Sequence, residues 1–447
     1  MILKDKKEMK INDILGKLGI SELSGMQKDS YDAIMNTDKD VVVLSPTGTG
    51  KTLAYMLALI EKLDRDNSSV QALVVVPGRE LAHQSDKVLK SLKTNISSAS
   101  CYGGRPAMDE HRAMKQSSPQ IVFGTPGRLN DHINKGNISP YAIRYIVIDE
   151  FDKCLEMGFH NEMSKLLKSL PGINRRILLS ATDAKEIPEF IKISNAIRLN
   201  YINKDNSISQ RVNFHKVNSP IKDKLETLNN LICSFGAQNS IVFLNHRESV
   251  ERVAKYLGTQ GFVVSLFHGG LEQKQREDAL YKFSNGSANV LVATDLASRG
   301  IDIKDINNII HYQLPYGKEE YIHRIGRTAR WKSEGNVFFI LGPDEILPDY
   351  VDDKCASYSI KEAVLKPSLP KMATLYIGKG KNDKISKGDI VGFLCKKGGI
   401  AANDIGQIDV KDRYTYVAIS RNKVDDVLYA VNGEKIKGIK TIVEFIK

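Results

Sequence analysis

Largely apolar runs recur along the first three quarters of this chain, each closed by a turn-forming or acidic residue. In the first part they are Val41–Leu44, Ala72–Val76, Gln120–Phe123, Tyr145–Ile148 and Ile177–Leu179. Runs without polar alternation, bounded in this way, are expected to be strands buried on both faces. Helix-spaced stretches lie between them, and Ile11, Ile14, Leu15 and Leu18 mark a further helix before the first run, broken at Gly19-Ile20. The pattern restarts with Ser240–Leu244, Val263–Phe267, Val290–Val292, Asn308–Tyr312 and Val337–Leu341. Such alternation predicts α/β lobes, each a parallel sheet covered by helices on both faces. Residues 200–222 read as a connector, and 342–370, with Pro343, Pro348, Pro367 and Pro370, as a linker. Beyond it Thr374–Ile377, Ile405–Val410 and Tyr414–Ile419, mixed with two helical stretches, predict a small α+β module. The expected division is a first lobe over 1–205, a second over 206–345, a linker over 346–370 and a tail domain over 371–447.

Composition narrows the partners. The chain has 447 residues, a net charge of +11 and 42% hydrophobic residues, which suits packed soluble domains and a polyanionic partner. From Lys371 onward there are 15 Lys and Arg against 9 Asp and Glu, so more than half of the excess charge sits in the last sixth. The five cysteines (Cys101, Cys154, Cys233, Cys355, Cys395) form no Cys-x-x-Cys pair and are read as reduced thiols. Met1 to Glu8 mixes charges without an apolar core, and Leu53–Ile60 is too short to span a bilayer. A cytoplasmic protein with no membrane partner is expected.

The strand-to-helix turn after Val41–Leu44 carries the first chemistry. Ser45, Pro46, Thr47, Gly48, Thr49 and Gly50 form a loop whose N–H groups can converge on a phosphate, with Lys51 as a point charge and the Thr52 hydroxyl as a Mg²⁺ ligand. Ser45 stands where the strict pattern has Gly. This stretch predicts binding of a nucleoside triphosphate. At another strand end, Asp149 is expected on the metal side and Glu150 as the base that activates water, within Asp149-Glu150-Phe151-Asp152. Three more strand ends carry Pro77-Gly78-Arg79, Thr125-Pro126-Gly127-Arg128 and Ser180-Ala181-Thr182, and Gly103-Gly104 lies in a loop between the first two. Hydroxyl, Gly and Arg groups beside helix starts suit sugar–phosphate recognition. In the second lobe the notable stretches are His268-Gly269-Gly270, Thr294 through Asp302, and His323 through Arg330. Arg327 and Arg330, three apart, can present neighbouring guanidinium forks to a γ-phosphate.

This set, in this order, resembles the DEAD-box RNA helicases of superfamily two. The resemblance implies two RecA-like lobes, an adenine pocket using Ile20 and Gln27, and coupling of hydrolysis to strand opening through Asp152, Ser180, Thr182 and His323. It assigns RNA contacts to Pro77, Arg79, Gly104, Thr125, Pro126, Gly127, Arg128, Gly269 and Thr294, places Asp302 near the ATP ribose, and gives Lys51, Glu150, Arg327 and Arg330 the catalytic roles. Two positions depart from the family: Phe151 where it has Ala, and Lys10 where it has an aromatic residue.

The tail, through Lys387-Gly388-Asp389, Asp409 and Gly433 to Gly438, resembles the RNA-recognition-type C-terminal domain of the bacterial DbpA branch of that family. That likeness implies a monomer tethered to large-subunit ribosomal RNA and acting on pre-ribosomal particles. An ATP-gated RNA clamp without productive unwinding is the alternative. The aromatic-rich second signature of such domains is absent, which leaves Tyr376, Tyr414 and Tyr416 for base stacking.

Overall fold

The computed structural model describes residues 11–46, 48–103, 107–183, 187–193, 195–202, 212–298, 306–328, 334–351, 355–360 and 366–446, without the side chains of Asn12, Ala107 to Asp109 and Ala113. Thr47, Gly104, Asp302 and Arg330, among the expected site residues, and Lys10 lie outside the described residues. The chain divides into two compact units, one before residue 211 and one holding the second lobe together with the tail.

The first unit contains a parallel sheet of seven strands: β1 (Val41–Leu44), β2 (Ala72–Val75), β3 (Ser98–Cys101), β4 (Ile121–Gly124), β5 (Tyr145–Ile148), β6 (Arg175–Ser180) and β7 (Ile197–Asn200). Their spatial order is β3-β4-β2-β5-β6-β1-β7. Successive side chains of each strand enter opposite cores. Val41, Val43, Val74 and Val147 pack on one face, and Val42, Leu44, Val75 and Ile148 on the other. Burial on both faces is why these runs lack polar alternation. The two outer strands, β3 and β7, were not marked by apolar runs. Ser98-Ala99-Ser100-Cys101 is small and polar, and Ile197–Asn200 alternates between half-buried and exposed positions, as edges permit.

The second unit repeats the plan with β8 (Val212–Asn218), β9 (Ser240–Phe243), β10 (Val264–Phe267), β11 (Val290–Ala293), β12 (Asn308–His311), β13 (Gly335–Leu341) and β14 (Ala356–Ser357), in the order β10-β11-β9-β12-β13-β8-β14. Two of these strands correct the sequence reading. The stretch expected as a connector supplies β8, which pairs along its whole length with β13, and the expected linker supplies β14, paired to β8. Val212–Asn218 mixes Asn, His and Lys with its apolar residues because it lies next to the sheet edge.

The tail has an antiparallel sheet of four strands, β16-β17-β15-β20, built from β15 (Met372–Ile377), β16 (Ile405–Val410), β17 (Thr415–Ser420) and β20 (Val443–Phe445). A small hairpin, β18 (Lys435–Ile436) with β19 (Ile439–Lys440), precedes the last strand. Ala373, Leu375, Ile377, Val417 and Ile419 pack with Ile390, Phe393, Leu394 and Val427 from helices Lys387–Lys396 and Val424–Ala430. The alternate residues point the other way and meet the second lobe. Tyr416 Oη donates to Asp278 Oδ1 at 2.6 Å, and Tyr281 Oη donates to the Gln407 carbonyl at 2.8 Å. Lys274 Nζ lies 5.9 Å from the Tyr376 ring and 5.8 Å from the Tyr414 ring. The three tyrosines expected to stack on bases are thus engaged by helix Gln273–Ser284.

Gly124, the last residue of β4, is a tight point in the first lobe. A Cβ there would meet the Cys101 carbonyl oxygen and Leu129 Cδ2, each at 2.7 Å. Gly124→Ala is therefore expected to lower unfolding stability by about 1–3 kcal/mol, read as a reduced denaturant midpoint.

Candidate functional site

The spatial order of the first sheet sorts motifs that are interleaved in sequence. Along the carboxyl ends of its strands, β3, β4 and β2 lead into Gly103, Thr125–Arg128 and Pro77–Arg79; β5, β6 and β1 lead into Asp149–Asp152, Ser180–Thr182 and the loop from Ser45. Expected RNA contacts fill one half of the rim and expected ATP contacts the other, in the position where open parallel sheets bind ligands.

On the ATP half, Gly48 (φ 83°) and Gly50 (φ 84°) take the left-handed conformations that let the loop close on itself before helix Lys51–Lys62. Ser45 is fully buried, and its hydroxyl donates to Thr49 Oγ1 at 2.9 Å, which donates to the Pro46 carbonyl at 3.0 Å. This internal bonding explains how the loop accommodates Ser at its first position. Lys51 Nζ is held over the loop by the carbonyls of Ser45 and Pro46. The Ser45 N–H bonds to the Ser180 carbonyl at 3.0 Å, tying the loop to the end of β6.

Thr52 Oγ1 and Tyr55 Oη each lie 3.3 Å from Asp149 Oδ2, which joins the phosphate loop to the acidic strand end. Burial raises the Asp149 pKa above its ordinary value, against the opposing effect of Lys51 and the hydrogen bonds it accepts. Glu150 has φ 50°, a strained conformation for a non-glycine residue at the start of helix Phe151–Glu156. Asp152 Oδ2 accepts from the Thr182 N–H at 3.2 Å and from Thr182 Oγ1 at 2.9 Å. Thr182 N in turn lies 3.2 Å from Ser180 Oγ. The acidic motif and the Ser-Ala-Thr element therefore form one bonded unit. Phe151 points into the core with Ile148, Cys154 and Leu178, away from these carboxylates.

Gln27 is buried and belongs to the same half. Its Oε1 accepts from the Ser24 N–H at 2.9 Å in a capping box, and its Nε2 donates to the Gly50 carbonyl at 3.4 Å. A Cβ on Gly50 would sit 2.2 Å from that nitrogen, so a larger residue there would displace the Gln27 amide as well as strain the backbone at φ 84°. Ile20 packs, half-buried, against the core on this side.

On the other half, Arg79 begins helix Arg79–Ser91, and a Cβ on Gly103 would be 3.8 Å from its Nη2, so these separate loops adjoin. Pro77 is buried at the end of the β2 segment. Thr125 precedes helix Pro126–Asn134, with Pro126 in its first turn followed by Gly127. Arg128 is directed inward, with Nε bonded to Glu110 Oε2 at 2.7 Å and Nη1 to Asp131 Oδ2 at 3.0 Å. Cys101, Glu110 and His132 come together here, a cluster that sequence spacing did not show. Burial pushes the Cys101 thiol well up, and Glu110 is shared by Arg128, His132 and the Tyr102 N–H. A protonated thiol and a carboxylate shared among three donors make this a hydrogen-bonded polar core.

In the second lobe, Gly269 follows β10 and Thr294 follows β11, and the two loops touch: a Cβ on Gly269 would be 4.0 Å from Leu296 Cδ2. Helix Lys318–Ile325 carries buried His323, and Arg327 follows it with Nε 3.5 Å from the His323 carbonyl. Arg324 organises this region, a role the sequence reading missed. It is fully buried, grips Asp295 at 2.5 and 2.8 Å, and also donates to Asn245 Oδ1 and the Gln313 carbonyl, both at 2.8 Å. Burial and the neighbouring Arg324 charge hold His311 well below its ordinary pKa, so it stays neutral beside the guanidinium. Asp295 and Arg324 stand in two separate motifs, and nothing in their spacing pairs them.

Comparison with known proteins agrees with these features. The family model for DEAD/DEAH box helicases matches residues 24–190, that for the helicase conserved C-terminal domain matches 223–332, and that for the DbpA RNA binding domain matches 374–445. The chain is 34% identical over 451 residues to ATP-dependent RNA helicase DbpA of Escherichia coli, covering 97% of this chain and 96% of that one. It is 33% identical over 467 residues to ATP-dependent RNA helicase DbpA of Bacillus subtilis, covering 94% of each. Among solved structures, S. cerevisiae Dbp5 bound to RNA and ADP BeF3 is similar, with a TM-score of 0.67 and 26% identity over 74% of this chain and 86% of that one. The chain belongs to the DEAD-box ATP-dependent RNA helicases, in the DbpA group.

Proposed function

We propose that this helicase opens short RNA helices in large-subunit ribosomal RNA and serves ribosome assembly as a cytoplasmic monomer. The observation that carries the ATP half of this reading is the bonded chain Thr52–Asp149 and Asp152–Thr182, which links the phosphate loop, the acidic motif and the Ser-Ala-Thr element. ATP is assigned to the loop of Ser45 to Thr52, with Gln27 and Ile20 on its adenine side and Asp302 near its ribose. The carbonyls now holding Lys51 would yield its ammonium to the phosphates. Glu150 takes a proton from the attacking water, and Arg327 and Arg330 steady charge on the γ-phosphate once the lobes close on ATP and RNA. Asp152, Ser180, Thr182 and His323 pass this closure to the RNA contacts at Pro77, Arg79, Gly104, Thr125–Arg128, Gly269 and Thr294. A strand bent across both lobes cannot stay in a regular duplex, so closure removes base pairs locally. The lobes, linker and tail are assigned to 1–205, 206–345, 346–370 and 371–447.

The residues fit Mg²⁺: Thr52 and Asp149 offer hard oxygen donors, and Asp149 is a buried carboxylate whose charge a cation would balance. Bound there, the ion would neutralise charge on the phosphate oxygens. Because its folded pKa is raised, ionised Asp149 costs stability as pH rises from 3.8 through the raised value. Asp149→Asn is therefore expected to leave the thermal midpoint at neutral pH unchanged or higher. The same variant should abolish the further rise that Mg²⁺-ATP gives the parent chain.

The ribosomal assignment rests on the match of 374–445 to the DbpA RNA binding domain. Its test is steady-state ATP hydrolysis with ribosomal RNA, unrelated RNA or none, for the full chain and a truncation ending near Pro367. Stimulation by ribosomal RNA should fall to the unrelated-RNA level on truncation. Equal stimulation by every RNA in the full chain would refute the ribosomal target.

A further inference from the structure

A cleft of about 510 Å³ lies at the seam between the second lobe and the tail. Ala254, Phe262, Val264 and Leu266 of the lobe and Phe445 of the tail give it apolar walls. Among the described residues its charged lining is Glu251, Lys255, Lys282 and Arg421, three cations to one anion, with Asp278 acting on Lys282 from the helix they share. Volume and lining are those of a small-ligand site, typically about 300–1,000 Å³ with a few placed polar groups on apolar walls.

Arg421 is fixed before any ligand arrives. Its Nε donates to the Pro370 carbonyl at 2.7 Å, and Nη2 donates to the carbonyls of Ser287 and Met372, each at 2.9 Å. The Pro370 and Met372 carbonyls belong to the tail and its approach, and the Ser287 carbonyl to the second lobe, so one of the three bonds ties the guanidinium across the seam. Nη1 carries no hydrogen bond among the described residues. Lys282 feels this charge: burial lowers its pKa, and Arg421 lowers it further against the opposing pull of Asp278. Both cations are partly desolvated, and an anion bound beside them would offset that cost.

We propose that this seam binds one unpaired RNA nucleotide, its phosphate on Arg421 and Lys282 and its base against Phe445 and the Phe262–Leu266 wall. Charge selects the phosphate, and apolar walls that carry the rings of Phe262 and Phe445 suit a splayed-out base. The site takes residues from both lobe and tail, which gives the docked tyrosine face a function: it assembles an RNA contact instead of being one. The proposal rests on RNA binding by the chain but not on the ribosomal target.

The test is photo-crosslinking of the full chain to a pool of short single-stranded oligoribonucleotides carrying 4-thiouridine, with mapping of the linked peptides. Links should fall in the peptides of Phe262–Leu266 or Phe445, and Lys282→Gln and Val264→Trp should each remove them. Lys282→Gln should also weaken oligonucleotide binding about tenfold, as loss of one charge-assisted hydrogen bond does. Small-angle scattering establishes that the tail of each variant remains docked. Seam links that vanish in both docked variants support the site. Links elsewhere only, or unchanged affinity in both docked variants, overturn it. Competition by polyglutamate without any seam link to RNA would instead assign the cleft to an acidic peptide and equally overturn it. RNA stimulation of ATP hydrolysis by the parent chain, measured in parallel, separates failure of the seam from failure of RNA binding as a whole.

Discussion

Glu150→Gln is expected to lower the rate of ATP hydrolysis by about 10²–10⁴-fold, the usual contribution of a positioned general base. The amide keeps the size of the carboxylate but cannot accept the proton of the attacking water. It also leaves the strained backbone at φ 50° as it is, so a thermal melt reports only the exchange of one buried side-chain oxygen for nitrogen. ATP and RNA binding should survive, because the groups assigned to phosphate and metal, Lys51, Thr52 and Asp149, are untouched. Single-turnover hydrolysis, equilibrium binding of labelled ATP and a thermal melt together check this. Near-parental turnover in a chain that binds ATP would remove Glu150 from the role of base.

The second large effect is on stability. Arg324→Ala removes the guanidinium that grips Asp295 and takes away a donor from Asn245 Oδ1 and from the Gln313 carbonyl. Breaking a buried, hydrogen-bonded ion pair from one side costs about 3–5 kcal/mol. Arg324→Lys should recover little, since an ammonium cannot span the two carboxylate oxygens and the two further acceptors at once. RNA-stimulated ATP hydrolysis should fall too, because Asp295 follows Thr294 and Arg324 shares its helix with His323. The exposed pair Lys222–Asp344, 2.8 Å apart, is the control: its removal should change stability by at most about 1 kcal/mol. Denaturant unfolding of the three variants makes the comparison.

Much of the site was legible because its residues are local. A strand, a glycine turn and a helix start are set by neighbours in sequence, so Ser45 to Thr52 and Asp149 to Asp152 declare their chemistry without a fold. The central strands were legible for a similar reason, since burial on both faces leaves unbroken apolar runs. Positions at or beside a sheet edge were not. Ser98–Cys101, Ile197–Asn200 and Val212–Asn218 are strands because a neighbour offers a hydrogen-bonding ladder, and their side chains carry little sign of it.

The tail shows the limit most clearly. Tyr376, Tyr414 and Tyr416 read as stacking platforms, and alternation along β15 and β17 does place Tyr376 and Tyr416 on the face away from the helices of the tail. What covers that face is helix Gln273–Ser284, more than 90 residues earlier, through Asp278, Tyr281 and Lys274. Arg324 with Asp295, and Arg421 with Ser287, are likewise pairings across distance.

The sequence by itself determined that this chain binds a nucleoside triphosphate and has two α/β lobes with a basic tail, because phosphate loops, acidic strand ends and apolar runs are written in contiguous residues; ATP and RNA followed from the family resemblance those motifs carry. The tertiary structure alone decided the rest. It put β5, β6 and β1 side by side so that Asp152 bonds Thr182, placed β3, β4 and β2 beside them, and turned the tyrosine face of the tail onto the second lobe. Strand order and domain docking are fixed by packing between segments far apart in sequence, and no local pattern encodes which distant surface a face will meet.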